Sequence, residues 1–300
     1  MRRIRGFDLR RIPHLVAPVH YPLLLQEAEG LEAIAWDGSH EIEAVAVRLR
    51  ELDADHVLTI VATPSARDRG DDERLLEWLV DDATTAGRTL VVEFTEAPDA
   101  TNPIRRLLER VRMPTPQASR LMVVFGPTMY RATLSEEAAL DRQHPIGSWR
   151  PLPSSCRIVG WMDCSEQQRS MLRSSLETLD VYREIDPFSR ESGCEARTSL
   201  AILKDQTIVG WLLSHSQPDG TLRQTVSYID PRLQRLGLIY PAYVELIRRI
   251  VAELGMDTKM RFTVDLIQAR GLARVVRRRW APFADSVQTC WKSTRIASSR

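Results

Sequence analysis

The stretch Ile229-Asp230-Pro231-Arg232-Leu233-Gln234-Arg235-Leu236-Gly237-Leu238-Ile239 has the residue types and order of an anion site. An alternating run, Leu222 to Ile229, precedes it and predicts a strand. An amphipathic run, Leu238 to Leu254, follows it and predicts a helix. A tight glycine-containing loop between strand and helix leaves the first N–H groups of the helix without intrahelical partners. The helix dipole adds partial positive charge at the same place, so a phosphate is the natural occupant.

A second stretch of this form lies upstream. Ala62-Thr63-Pro64-Ser65-Ala66-Arg67-Asp68-Arg69-Gly70-Asp71-Asp72 aligns with it without a gap, Ala62 on Ile229 through Asp72 on Ile239. Proline is third in both, Arg67 or Gln234 sixth, and Gly70 or Gly237 ninth. Each copy follows a strand pattern (His56 to Val61 in the first) and precedes a helix pattern (Asp71 to Ala86 in the first). Such self-similarity implies a duplicated structural unit. The first copy opens its helix with Asp71-Asp72-Glu73. Carboxylates in a first turn stabilise a helix by about 0.3–1 kcal/mol each. They also repel an incoming phosphate, so the first copy reads as degenerate.

These two loops resemble the pyrophosphate loop of GCN5-related N-acetyltransferases, whose signature is Arg/Gln-x-x-Gly-x-Gly/Ala. Here it reads Gln234-x-x-Gly237-x-Ile239, with isoleucine at the last position, and Arg67-x-x-Gly70-x-Asp72 upstream. The resemblance implies acetyl-CoA, or another acyl-CoA, as cofactor in the second copy. It implies Tyr228, Ile229, Gln234, Arg235, Leu236, Gly237, Leu238 and Ile239 as the cofactor set, with Arg235 placing a fixed charge near the phosphates. The family also carries an Asn and, about seven residues on, a Tyr on its last helix; the Tyr protonates the departing thiolate. Asn102 fits the first half, but Glu109 stands at the Tyr position, and Arg270 to Arg279 contains neither residue.

The proton of an amine acceptor must then go elsewhere. His215, at a predicted strand end before the cofactor strand, is the expected base. Tyr228 and Glu191 are the other candidates, Glu191 in the loop Asp186 to Cys194 that is expected to line an acceptor pocket. Cys194 has no evident partner for nucleophilic work. Tyr243 has helical spacing with Ile247 and Ile250 and reads as core. Arg270, Arg274, Arg277, Arg278 and Arg279 make one predicted helix strongly basic, suited to a solvated face, the adenosine 3′-phosphate of CoA, or an RNA acceptor.

The elements that must position these residues read as a mixed α/β (α+β) protein with two tandem repeats, 1–145 and 155–300. In the first half, Leu31 to Trp36 and Ile42 to Leu49 predict strands around a turn at Asp37-Gly38-Ser39-His40. A helix over Arg74 to Ala86, a strand over Thr89 to Phe94, a helix over Ile104 to Val111 and a strand over Arg120 to Phe125 follow. The second half repeats the order: a hairpin Thr198 to His215 turning at Lys204-Asp205-Gln206, a turn at Pro218-Asp219-Gly220, then the strand and helix above. Lys259 to Leu266 predicts a strand, Leu272 to Arg279 a helix and Thr289 to Trp291 a closing strand. The proline-rich segment Gly126 to Ser155 reads as the connection.

Composition narrows the class. Forty-one basic and 40 acidic side chains leave a net charge of +1, no sign of a nucleic-acid or membrane-surface protein. No run approaches 18 apolar residues, and the apolar run Leu15 to Leu25 is broken by Pro18, His20 and Pro22. Cys156, Cys164, Cys194 and Cys290 form no CxxC pair, and the six histidines show no metal-ligand spacing, as expected of a reduced cytoplasmic protein without a metal. The expected activity is acyl-CoA-dependent N-acyl transfer, of acetyl as the resemblance implies, to an amine of a small molecule or amino acid, with a homodimer compatible. The alternatives are a Fem-type aminoacyl-tRNA-dependent transferase and a non-catalytic acyl-CoA-binding or scaffold protein.

Overall fold

The computed structural model describes residues 2–4, 15, 24, 29–37, 42–96, 102–135, 152–176, 185–217 and 219–296. The turn residues Gly38 to His40, Pro218 and most of the expected connection (136–151) lie outside the described residues, as do His14, His20 and His144. The chain divides into two compact units, Met1–Leu121 with Gln288–Arg300, and Met122–Val287.

In the first unit the strands β1 (Arg2–Ile4), β2 (Leu31–Asp37), β3 (Ile42–Arg50) and β4 (Ala54–Ala62) form an antiparallel meander. A short helix α1 (Pro64–Asp68) and a longer α2 (Asp71–Thr85) lead to β5 (Thr89–Glu96), parallel to β4. The buried face of α2 is Leu75, Leu76, Leu79, Val80 and Ala83, and it covers Ile34, Ala44, Ala46 and Val92 of the sheet. Helix α3 (Pro103–Arg110) follows. Asn102 is its N-cap: Oδ1 accepts from Ile104 N, and Nδ2 donates to Thr95 O. Strand β6 (Gln117–Phe125) gives its first five residues to this unit. The chain's last strand, β12 (Ser286–Arg295), pairs antiparallel with β5, Thr289 opposite Glu96 through Arg295 opposite Leu90. That pairing is why residues 288–300 belong with the first unit, where the two-repeat reading assigns them to the second half.

Arg48 is fully buried in this unit. Its guanidinium meets Glu32, Asp55 and Asp82 at 3.0, 3.2 and 2.6 Å. Asp55, also fully buried, takes Arg88 at 2.7 Å. A charge can be buried only when its donors and acceptors are filled in this way.

The second unit begins with the end of β6 and helix α4 (Pro127–Leu134), which occupies part of the expected connection. Strand β7 (Cys156–Gly160) and helix α5 (Glu166–Leu176) come next, neither foreseen from the sequence. Then β8 (Leu200–Lys204), β9 (Thr207–Ser216) and β10 (Leu222–Ile229) form a meander. Asp205 and Gln206 turn the β8–β9 hairpin, both at positive φ (48° and 71°), the geometry of a two-residue hairpin turn. Helix α6 (Ile239–Arg249) passes into a wider turn, Ile250–Leu254, and ends at Gly255. Strand β11 (Met260–Asp265) lies parallel to β10, and α7 (Arg270–Val275) continues as a wider turn to Trp280.

Candidate functional site

The site is built where β10 leaves its parallel neighbour. Leu222 pairs with Met260 and Arg223 with Arg261, and there the pairing of β10 with β11 ends. A bulge follows at once: Gln224 opposes Ser214 on β9, but Val226 opposes Leu213, so Thr225 is the extra residue. A bulge bends its strand and increases its twist, which turns the rest of β10, Val226 to Ile229, away from β11. Gln224 holds this geometry from inside the sheet. Its Nε2 donates to Leu213 O (3.1 Å) and Val226 O (2.7 Å), and Ser214 Oγ donates to its Oε1 (3.1 Å). On the other side of β10, β9 passes so close to Ile229 that a Cβ at Gly210 would lie 2.6 Å from Ile229 Cδ1.

The loop after β10 is a tight turn, Pro231–Leu236, closed by Gly237 in the left-handed conformation (φ 67°). Asp230 caps it: Oδ1 accepts from Arg232 N at 2.9 Å, and the carboxylate pairs with the Arg232 guanidinium at 2.6 Å. That guanidinium holds the Asp230 carboxyl below its usual range. No side chain caps α6 and no acidic residue lies in its first turn. Tyr240 N donates to Gly237 O (3.1 Å) and Pro241 has no N–H, so of the first three residues of α6 only Ile239 keeps an N–H for solvent or a ligand.

A cavity of about 270 Å³ opens between the departing strand, α6 and α7, lined by Ser227, Ile229, Gln234, Leu238, Ile239, Tyr240, Tyr243, Leu272, Val275 and Trp280. Its wall is mostly apolar, and beside Gln234 and Tyr240 two buried polar groups stand in it. The Tyr243 hydroxyl lies 3.0 Å from Ser227 Oγ, and burial pushes its pKa up. The Trp280 indole N–H is buried with no partner among the described residues. Trp280 is fixed by edge contacts with Phe125, Tyr243 and Phe262, ring centroids 5.6–5.7 Å apart.

Of the expected cofactor set, the cavity brings together Ile229, Gln234, Leu238 and Ile239. Ile239, the departure from the loop signature, faces the cavity and narrows it. Arg235 and Leu236 are exposed on the loop and Gly237 shapes the turn; none of the three lines the cavity. Ser227, Tyr243, Leu272, Val275 and Trp280 were not legible as site residues. Tyr243 reads as core from its spacing, and it is buried, but its hydroxyl end reaches the opening beside β10.

No protein-family model matches the chain, and no curated protein matches it by sequence. Solved structures do match. A tandem GNAT protein from the clavulanic acid biosynthesis pathway aligns at a TM-score of 0.62 and 12% identity, over 90% of this chain and 84% of that one. A GCN5-related N-acetyltransferase from Sphaerobacter thermophilus aligns at 0.62 and 18%, over 97% and 94%. A GNAT-family acetyltransferase from Colwellia psychrerythraea aligns at 0.59 and 8%, over 98% and 99%. The chain has the GNAT fold.

Within this fold the expected catalytic residues are dispersed. His215 lies on β9 opposite Arg223, and its Nδ1 is 2.7 Å from Oγ1 of Thr225, the bulge residue. Tyr228 stacks on Trp211 (centroids 4.3 Å apart), and burial together with the Asp230 charge raises its pKa. Its hydroxyl is buried and has no partner among the described residues. Glu191 Oε1 accepts from Trp161 Nε1 at 3.2 Å and is paired with Arg169. Both oxygen contacts tie Glu191 to the apolar cluster of Trp161, Trp211 and Phe188, a structural duty. Burial pushes the Cys194 thiol up, which disfavours the nucleophilic thiolate. Among the described residues no group of His, Cys, Asp and Glu could hold a metal ion, and no helix is long and apolar enough to cross a membrane.

Proposed function

We propose that the second unit binds one acyl-CoA, acetyl-CoA by default, and transfers its acyl group to an amine of a small molecule or amino acid in the cytoplasm. The observation that carries this reading is the open edge of β10 beyond Arg223, beside an apolar cavity and an uncapped helix N-terminus. The residues present suit such a ligand. The Ile239 N–H and Gln234 can take phosphate oxygens, the open edge of β10 can pair with amides, and the orphaned Trp280 N–H offers a donor to a carbonyl. Bound acyl-CoA supplies the acyl group as an activated thioester.

The chain's own groups then manage protons. His215, held by Thr225 at the bulge, takes the amine proton at its free ring nitrogen, directly or through water. Tyr243 keeps its proton because it is buried, so with Ser227 it is a donor toward a thiolate in the cavity. Tyr228 is the reserve candidate for the same duty, and Glu191 positions Trp161 and Arg169.

Calorimetry with acetyl-CoA, followed by thioester turnover with a panel of amines, tests the proposal. One saturable site per chain with amine-dependent thiol release is expected; absence of saturable binding overturns it. The lack of Asn and Tyr on α7 favours a second reading, a non-catalytic acyl-CoA binder. Tight binding without turnover on any amine would select it, and dependence on aminoacyl-tRNA would select a Fem-type transferase.

A further inference from the structure

Helix α7 and its continuation carry two faces with different chemistry. Leu272, Val275 and Trp280 line the cavity beside β10. A separate cavity of about 280 Å³ is lined by Leu266, Arg270, Ala273, Arg274, Arg277 and Arg278, and shares no residue with the first. The spacing along α7 puts Arg270 and Arg274, i and i+4, on one face and Leu272, about 200° round from Arg270, on the other; Arg277 and Arg278, on the wider turn, line the same cavity as Arg270 and Arg274. The arginines therefore face away from the cavity proposed for acyl-CoA.

No acidic side chain lines the arginine cavity, and no ion pair joins any of the four to a carboxylate among the described residues. Like charges at i, i+4 destabilise a helix, so this arrangement costs stability unless an anion occupies it. Elsewhere in the same unit Arg169, Arg173, Arg197, Arg232, Arg248 and Arg249 each sit on a carboxylate. Four forked guanidiniums lining one concavity of this size can match several phosphate oxygens at once.

We propose that this cavity is a second anion site, for a small soluble ligand carrying two or more linked phosphates, distinct from the acyl-CoA cavity on the other face of α7. Inorganic tripolyphosphate is the probe. Calorimetry at low salt should give one saturable event that weakens as salt rises. The double variant Arg274→Gln/Arg278→Gln, at exposed positions, should lose affinity by at least about tenfold, with urea unfolding unchanged as the check on folding. Gly237→Asp, which places a carboxylate at the loop of the first cavity, should leave tripolyphosphate binding unchanged. The proposal is overturned by no saturable binding at low salt, by equal affinity in the double variant, or by loss of tripolyphosphate binding in Gly237→Asp. Two further arms separate the source of the phosphates. Affinity for single-stranded RNA that grows with length and resists tripolyphosphate, or binding to phosphatidic-acid vesicles without binding of free tripolyphosphate, also overturns it. None of these outcomes depends on whether the first cavity transfers acyl groups.

Discussion

The strand–loop–helix junctions of the two units share a backbone plan and differ in charge. Strand β4 bulges at Leu58, since Val47 opposes Thr59 and Arg48 opposes Val57; β10 bulges at Thr225. Leu58 falls on Thr225 in the ungapped alignment of the two loops. In both units the parallel pairing stops just before the bulge, at Val57 and at Arg223. Both loops pass through a left-handed glycine, Gly70 at φ 74° and Gly237 at 67°. The helix that follows is where they part. In the first unit Asp72 Oδ1 accepts from Glu73 N at 2.9 Å, and Asp71, nearly fully buried, pairs with Arg69 at 2.8 Å and Arg74 at 3.3 Å. That helix start is neutralised by its own carboxylates. In the second no acid stands there. The same backbone device thus carries its own carboxylates at one helix start and none at the other, which is the difference the proposed acyl-CoA site rests on.

The most disruptive way to break the comparison is to exchange that charge. Gly237→Asp should reduce acetyl-CoA affinity by about 100-fold or more, because a carboxylate a few ångströms from a phosphate is repelled by several kcal/mol even at an effective dielectric near 20. Gly70→Asp should leave it within about twofold. Gly237→Asn carries the same backbone strain without the charge and should retain most binding in calorimetry. Equal losses in Gly70→Asp and Gly237→Asp would remove the distinction between the units.

Next comes the pair at the bulge, where His215 meets Thr225 in the second unit only. His215→Ala should lower turnover by about 10²–10⁴ with acetyl-CoA affinity unchanged, and should remove a limb of the pH–rate profile. Turnover within a few-fold of the parent would take His215 out of the site.

The bulges are also held by different chemistry, buried ion pairs around Arg48 against neutral amide bonds of Gln224. Arg48→Met should destabilise the protein by about 3–5 kcal/mol, since it strands buried carboxylates. Gln224→Met should cost about 1–3 kcal/mol, the penalty of unpaired neutral groups. Urea unfolding measures both, and a larger loss for Gln224→Met would reverse the assignment.

The smallest effect concerns the loop cap. The Asp230 carboxyl is depressed in the folded state by Arg232, so its contribution is fully present above the unfolded value of about 3.9 and is lost as pH falls through the folded value. Asp230→Asn should cost about 0.5–1 kcal/mol at neutral pH, because Arg232 is exposed, and should flatten the acid limb of stability against pH. An unchanged acid limb would show that the pair contributes nothing.

Much of the second junction was legible in the residues. Strand β10 falls where the alternation ends, and Gly237 and Gly255 bound the helix that the apolar spacing predicts. The Asp205-Gln206 turn was marked by its polar pair. The remainder lacked a local signal. Helix α5 buries only Leu172, so it has no apolar stripe to read. Asn102 has the type and place of a cofactor ligand, yet it caps α3, since a short polar side chain before Pro103 serves a helix start equally well. Tyr243 shows the spacing of core, which fixes the face it occupies but not that the facing strand has left its partner.

The sequence by itself determined the two loops, the strands and helices that flank them and the charge that separates one helix start from the other. Those are local properties: turn residues, apolar period and first-turn carboxylates act within a few positions of themselves. Tertiary structure decided where β10 stops pairing, that Ser227, Tyr243 and Trp280 wall one cavity, that α7 turns its arginines to another, and that β12 completes the first unit beside β5. Each of these depends on which strands and helices become neighbours over long separations, and no spacing along the chain encodes that.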